Sequence, residues 1–341
     1  MDDPLPPEID PLAGRTPRRW RARDAVLGIV LMSVLLVLFA GRSVRHAGDQ
    51  MHPSVFRTVV LGVGHPAGWL ADRLPLTDAV HSVTKFLSPN PDLGNEGGFG
   101  TAAASSVRGV APVTPDAFDP RDVGAKPVPP RRPLKTLLVT GDSMSTPLDL
   151  DLARRFTGGG VQVDRDPHLG TGISNTQFVD WGKLSVHQVA TKHPDAIVVF
   201  IGAAEGFPLP GPGGKDVSCC DRPWAAAYAF RVRRMMDTYI QHGTAHVYWL
   251  LLPTPREAAR AKIARSVNAA IRVAAQPYRA EVRVLDMVRV FTPGARYRAA
   301  MNVGGTDEIV RESDGVHLNQ NGSSLAGDVV ARAIRADYGS R

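Results

Sequence analysis

The chain has 341 residues, 43% apolar and 21% charged, a balance that supports a sizeable folded core and excludes a wholly disordered protein. Its net charge of +7 does not point to nucleic acid. Arg15, Arg18, Arg19, Arg21 and Arg23 crowd just ahead of an apolar segment, where they act as a topology signal, and neither an RNA-binding aromatic motif nor a zinc-finger spacing is present.

Residues 1–24 are rich in Pro and Arg and read as a basic cytoplasmic tail. Residues 25–41 follow, an uncharged apolar run that we expect to be a transmembrane signal anchor. As a helix at about 1.5 Å per residue it is short for a hydrocarbon core of about 30 Å, and flanking arginines can extend it by snorkelling. A cleaved signal peptide is the alternative, with Ala40-Gly41-Arg42-Ser43 a weak cleavage match. The arginine excess before the segment puts the N-terminus in the cytoplasm and the bulk of the chain outside it. The expected location is therefore the cell membrane, single-pass, with an extracytoplasmic domain.

Residues 42–87 carry helical patterning broken by Gly62, Gly64, Pro66 and Pro75, and read as a membrane-proximal helical segment. Residues 88–133 are rich in Gly, Pro, Ala and Ser and end in a Pro-rich run, the composition of an extended linker. From 134 the pattern changes. Short apolar runs predict strands over 136–140, 161–165, 196–201, 245–252 and 282–286. Helices are predicted over 147–156, 176–191, 224–242, 256–275 and 319–338. Alternation of this kind implies a parallel five-stranded sheet in a three-layer α/β/α domain spanning 134–341. Ligands of such sheets bind beyond the carboxyl ends of the strands, where 140–143, 202–206 and Pro253 fall.

Gly141-Asp142-Ser143-Met144 follows the first strand directly. A serine there, just ahead of a helix, suits a nucleophile whose oxyanion meets backbone N–H groups; a capping role for Asp142 or Ser143 is the plainer reading. The elbow Gly-x-Ser-x-Gly is absent, because Ser145 stands where the second glycine belongs. Near the C-terminus, Asp314 and His317 are three residues apart, so one turn can hold both, with the carboxylate orienting the imidazole as a general base. The alternative is an Asx turn with a surface histidine.

The two cysteines, Cys219 and Cys220, are adjacent and cannot build a disulfide framework. Two thiols in a loop are expected, with a strained vicinal disulfide as the alternative; zinc ligation lacks partners at suitable spacing. The run 208–215 fits no phosphate-loop pattern, since Asp216 follows Lys215, and reads as a rim or lid near the site. Trp224 and Trp249 are expected in the core rather than as sugar platforms, and His187 and His193 at the surface.

Residues 134–341 resemble the SGNH (GDSL) hydrolase superfamily, whose fold is flavodoxin-like. The resemblance rests on Gly141-Asp142-Ser143-Met144 and Asp314-Gly315-Val316-His317-Leu318. Trp181, Trp224 and Tyr228 also look loosely like its bacterial cell-envelope branch. It implies a catalytic triad of Ser143, His317 and Asp314, and an oxyanion hole from the backbone N–H groups of Ser143 and Gly172, with Gly170 the alternative register. Asp142, Ala204 and Glu205 are implied at the substrate. One block departs from the family: Ala204 stands where an asparagine side chain would donate to the oxyanion. Asn175 is a conceivable replacement or a turn residue, and Glu205 a loop support. The implied activity, which needs no cofactor and no metal, is a serine esterase or O-acyltransferase acting on acyl groups of an envelope polysaccharide or glycolipid. A membrane acyltransferase is a conceivable partner. The alternative is a weak or inactive module that binds envelope glycan or scaffolds such a partner.

Overall fold

The computed structural model describes residues 93, 97–99, 110–121, 123–126, 128–211 and 215–339. The expected tail (1–24), anchor (25–41) and membrane-proximal segment (42–87) lie outside the described residues. Among the described residues, no helix is long and apolar enough to cross a membrane.

Five parallel strands form the central sheet in the order β2-β1-β3-β6-β7. They are β1 (Thr136–Gly141), β2 (Gln162–Pro167), β3 (Ala196–Phe200), β6 (His246–Leu250) and β7 (Val282–Leu285). Every residue of β3 and β6 is buried, as strands covered on both faces should be. Edge strand β2, Gln-Val-Asp-Arg-Asp-Pro, is half-exposed throughout or more. The helices are α1 (Leu148–Thr157), α2 (Trp181–Lys192), α3 (Arg222–Ile240), α4 (Ala258–Ala275), the short α5 (Met287–Phe291) and α6 (Gln320–Tyr338). The expected α/β domain with a five-stranded parallel sheet is thus present.

Details differ. Helix α2 begins at Trp181, not 176, because the Asp180 side chain caps it by accepting the N–H groups of Gly182 and Lys183. Residues 208–215 are not all irregular: β4 (Leu209–Pro210) pairs antiparallel with β5 (Asp216–Val217). A second hairpin, β8 (Ala300–Val303) with β9 (Thr306–Ile309), was not expected from the sequence. Cys219 and Cys220 are joined in a vicinal disulfide rather than held as two thiols, since the loop before α3 brings their sulfurs together. Trp224 and Trp249 are fully buried and so belong to the core.

The stretch read as an extended linker is, in its described parts, held on the domain. Phe99 and Phe118 are buried. Arg234 donates to the carbonyls of Gly97 and Gly98, Arg233 to that of Ala111, and Gln276 to that of Asp119. Isolated aromatic anchors in a polar, Pro-rich stretch suffice to dock it.

Candidate active site

Strand β1 ends at Gly141, whose φ is +150° and where a Cβ would run into the carbonyl of Phe200 on β3. Only glycine lets the strands approach this closely. Asp142 follows, fully buried. Its Oδ1 accepts the N–H of Met144 at 2.8 Å, and its Oδ2 accepts those of Gly202 at 2.8 Å and Ala203 at 2.7 Å. Asp142 therefore clamps the end of β1 to the loop after β3. Its carboxylate is buried and taken up by three backbone donors, the place of a structural clamp beside the site. That burial pushes its carboxyl up to about 6, against the backbone N–H groups that favour the anion.

With Asp142 fixed, Ser143 opens a one-turn 3-10 helix, Ser143–Ser145. As its first residue, Ser143 has a backbone N–H with no partner inside the turn. Ser143 Oγ lies 2.7 Å from His317 Nε2. His317 Nδ1 lies 2.5 Å from Asp314 Oδ2, while Asp314 Oδ1 accepts the N–H groups of Val316 and His317. Burial works against the Asp314 anion, but these bonds outweigh it and hold the carboxyl near 2. Residues 174 positions apart thus meet in one relay. Part of the reason is that α6 packs along α1, where Arg155 binds Asp328 and Ser324.

The turn that presents His317 has a support missed in the sequence. Arg311, 3% exposed, donates from Nη2 to the carbonyls of Thr254, Gly315 and Val316. It has no carboxylate partner among the described residues, and its guanidinium lies over the Tyr297 ring. A lone arginine carries no motif, so the only available signal was its nearness to Asp314.

The loop after β2 lies against the loop after β3. A Cβ on Gly172 would fall 2.8 Å from the Ala204 carbonyl, whereas one on Gly170 would meet nothing within 4 Å. Gly172, not Gly170, is thus the glycine set against position 204. Glu205 secures the pairing, accepting hydrogen bonds from the Ile173 N–H, the Ser174 N–H and Oγ–H, and the Tyr228 hydroxyl. Glu205 is a loop support with its acceptors taken. Burial pushes its carboxyl up, and these bonds draw it back. Asn175 accepts the Gln177 N–H through Oδ1, the turn role the sequence allowed. Ala204 lines a cleft of about 430 Å³ together with Met144, Leu252, Ile263 and Val316. Among the described residues, no cluster of three or more His, Cys, Asp or Glu is placed to hold a metal.

A five-stranded parallel sheet with a serine just after β1, hydrogen-bonded to a histidine from an Asp-x-x-His turn before the last helix, defines the chain as SGNH (GDSL)-like. A family model described as "Protein of unknown function (DUF459)" matches residues 136–333, and the chain belongs to that family. No curated protein matches it. Among solved structures it is similar to a lipase/acylhydrolase from Enterococcus faecalis, at 16% identity over 59% of this chain and 96% of that one, with a TM-score of 0.40. It is also similar to the catalytic domain of a Streptococcus pneumoniae peptidoglycan O-acetyltransferase, at 13% identity over 60% and 96% of the two chains, with a TM-score of 0.37. A family two carbohydrate esterase from Clostridium thermocellum is similar at 10% identity over 62% and 66%, with a TM-score of 0.38.

Proposed function

We propose that this chain is a serine esterase or O-acyltransferase, anchored in the membrane by residues 25–41 and acting outside the cytoplasm on acyl groups of an envelope polysaccharide or glycolipid. The observation that carries the chemistry is the unbroken relay Ser143–His317–Asp314 at 2.7 and 2.5 Å. The location rests on the sequence pattern of the anchor alone.

Ser143 Oγ attacks the acyl carbon while His317 Nε2 takes its proton. Asp314 accepts from Nδ1–H and stabilises the imidazolium. The backbone N–H groups of Ser143 and Gly172 face the oxyanion. On collapse, the C–O bond to the leaving alcohol breaks, His317 returns the proton to that oxygen, and the acyl group stays on Ser143. Water or a sugar hydroxyl then attacks in the same way and frees the serine. Hydrolysis and transfer use the same residues.

Treatment of the full chain with a fluorophosphonate tests this. An adduct on Ser143 is expected, lost in Ser143→Ala and strongly slowed in His317→Ala. Labelling that ignores His317 would sink the mechanism.

Ala204 favours a second reading, a catalytically weak module that binds envelope glycan or scaffolds a membrane acyltransferase. A missing oxyanion donor costs about 10²–10³ in rate. Restoring it with Ala204→Asn should raise kcat on an acyl ester if the site is a catalyst limited by that donor. No change, together with no Ser143 adduct, would favour the binding module.

A further inference from the structure

The cleft beside the relay is built with few polar side chains. Met144, Leu252, Pro253, Ile263, Ala264 and Val316 form much of its lining. Met144 directly follows Ser143 and Val316 directly precedes His317, so the cleft adjoins the reacting atoms. Glu205, which also lines it, has its carboxylate occupied by Ile173, Ser174 and Tyr228. Glu257 and Arg260 are exposed at the mouth and lie 3.4 Å from each other. Apart from Glu257 and Arg260 at the mouth, the lining is mainly apolar, and apolar surface is most of what the cleft offers a ligand. Ala204 is part of the same lining.

Size narrows the occupant. A cavity of about 150 Å³ holds benzene, and this cleft is about 430 Å³. An acetyl group would leave most of it unfilled. Some of the volume is open mouth, which leaves room for a chain of about six to ten carbons at benzene's packing.

We propose that this cleft is the acyl-chain site and that the preferred acyl group is of medium length rather than acetyl. This rests on Ser143 as the nucleophile. The acyl carbon bonds to Ser143 Oγ, the alkyl tail lies along Ile263 and Leu252, and the alcohol departs from the opposite side toward solvent. Each methylene moved from water into the cleft is worth about a fourfold gain in kcat/KM when fully buried.

The test uses the full chain in detergent with p-nitrophenyl acetate, hexanoate and octanoate, beside fluorophosphonate labelling of Ser143. With roughly half of its six extra methylenes buried in the open cleft, octanoate is expected to exceed acetate in kcat/KM by roughly a hundredfold. Ile263 is half-buried and outside the relay, so Ile263→Trp should shorten the cleft and lower the octanoate-to-acetate ratio of kcat/KM by about tenfold or more. Ile263→Ala should move the preference toward longer chains. Labelled Ser143 and acetate turnover with a profile flat or falling in chain length would overturn the acyl-chain assignment and leave the serine mechanism standing. No adduct and no turnover of any ester would overturn the mechanism, and the assignment with it. If Ile263→Trp also loses acetate turnover, Ile263→Ala decides, and an unmoved preference overturns the proposal.

Discussion

Asp142 carries a cost that its neighbour Ser143 does not reveal. Its folded value of about 6 stands above the 3.8 of an ordinary aspartate, so the folded chain binds this proton more tightly than the unfolded chain. Burying the anion therefore costs stability above about pH 6, and the cost fades as pH falls toward 3.8. The full difference is about 3 kcal/mol at 1.36 kcal/mol per unit. Asn at this position cannot titrate, nor can it accept on both sides, so Asp142→Asn sets an amide NH₂ against either Met144 or the Gly202 and Ala203 N–H groups. It should be destabilised at pH 7 by roughly 1–3 kcal/mol for each unpaired buried donor. The gap to wild type should widen by about 2–3 kcal/mol between pH 7 and 4. Denaturation midpoints across that range, followed by the near-ultraviolet signal of buried Trp181, Trp224 and Trp249, measure it. A pH-independent gap would mean that Asp142 keeps an ordinary carboxyl.

Elements were legible where one rule sufficed. The runs that became β3 and β6 are apolar on both faces, apart from His246 at the start of β6, and the spacing of Asp314 and His317 placed them on one turn. Sequence reasoning failed where a tertiary partner decides. Helix α2 starts late because the Asp180 carboxylate caps it, and that same carboxylate also binds the Phe99 N–H from 81 residues away. The β8–β9 hairpin carries one signal in the sequence, the turn pair Gly304-Gly305, between flanks that do not alternate cleanly. Gly172 is the favoured register over Gly170, and its close approach to the Ala204 carbonyl gives the tertiary reason. The 311–318 turn shows the same limit. A lone arginine predicts nothing, yet Arg311 binds three carbonyls around the relay. Burial lowers its guanidinium to about 10, so it stays charged at neutral pH. Lysine keeps a charge but not the planar fork. Arg311→Lys should lower kcat on an acyl ester by about ten- to a hundredfold with KM nearly unchanged. Unchanged kcat in a variant with a lowered melting temperature would make Arg311 a stability residue alone.

At the scale of the whole molecule, the described parts of the stretch ahead of 134 pack on the sheet domain through two aromatic anchors. Phe99 lies under the guanidinium groups of Arg231 and Arg234 at 5.0 and 5.7 Å, and Phe118 is buried in the same core. Removing the stretch would uncover apolar surface worth about 1.5–3 kcal/mol for each phenylalanine. It would also strip Arg233 and Arg234, both nearly buried, of backbone acceptors, at about 1.5–3 kcal/mol per charged hydrogen bond. Ordering the stretch offsets much of this; with a net of about 2–4 kcal/mol left, a fragment of residues 131–341 should melt roughly 5–15 °C below one of residues 90–341, at the 2–4 °C per kcal/mol of a domain this size. Scanning calorimetry of the two fragments checks this, and equal melting temperatures would show that the docked stretch contributes nothing. Arg231 ties the result to the site, because it also donates to the carbonyl of Ile173, next to Gly172. If the docked stretch orders Arg231, the shorter fragment should also turn over acyl esters more slowly at temperatures where it is still folded.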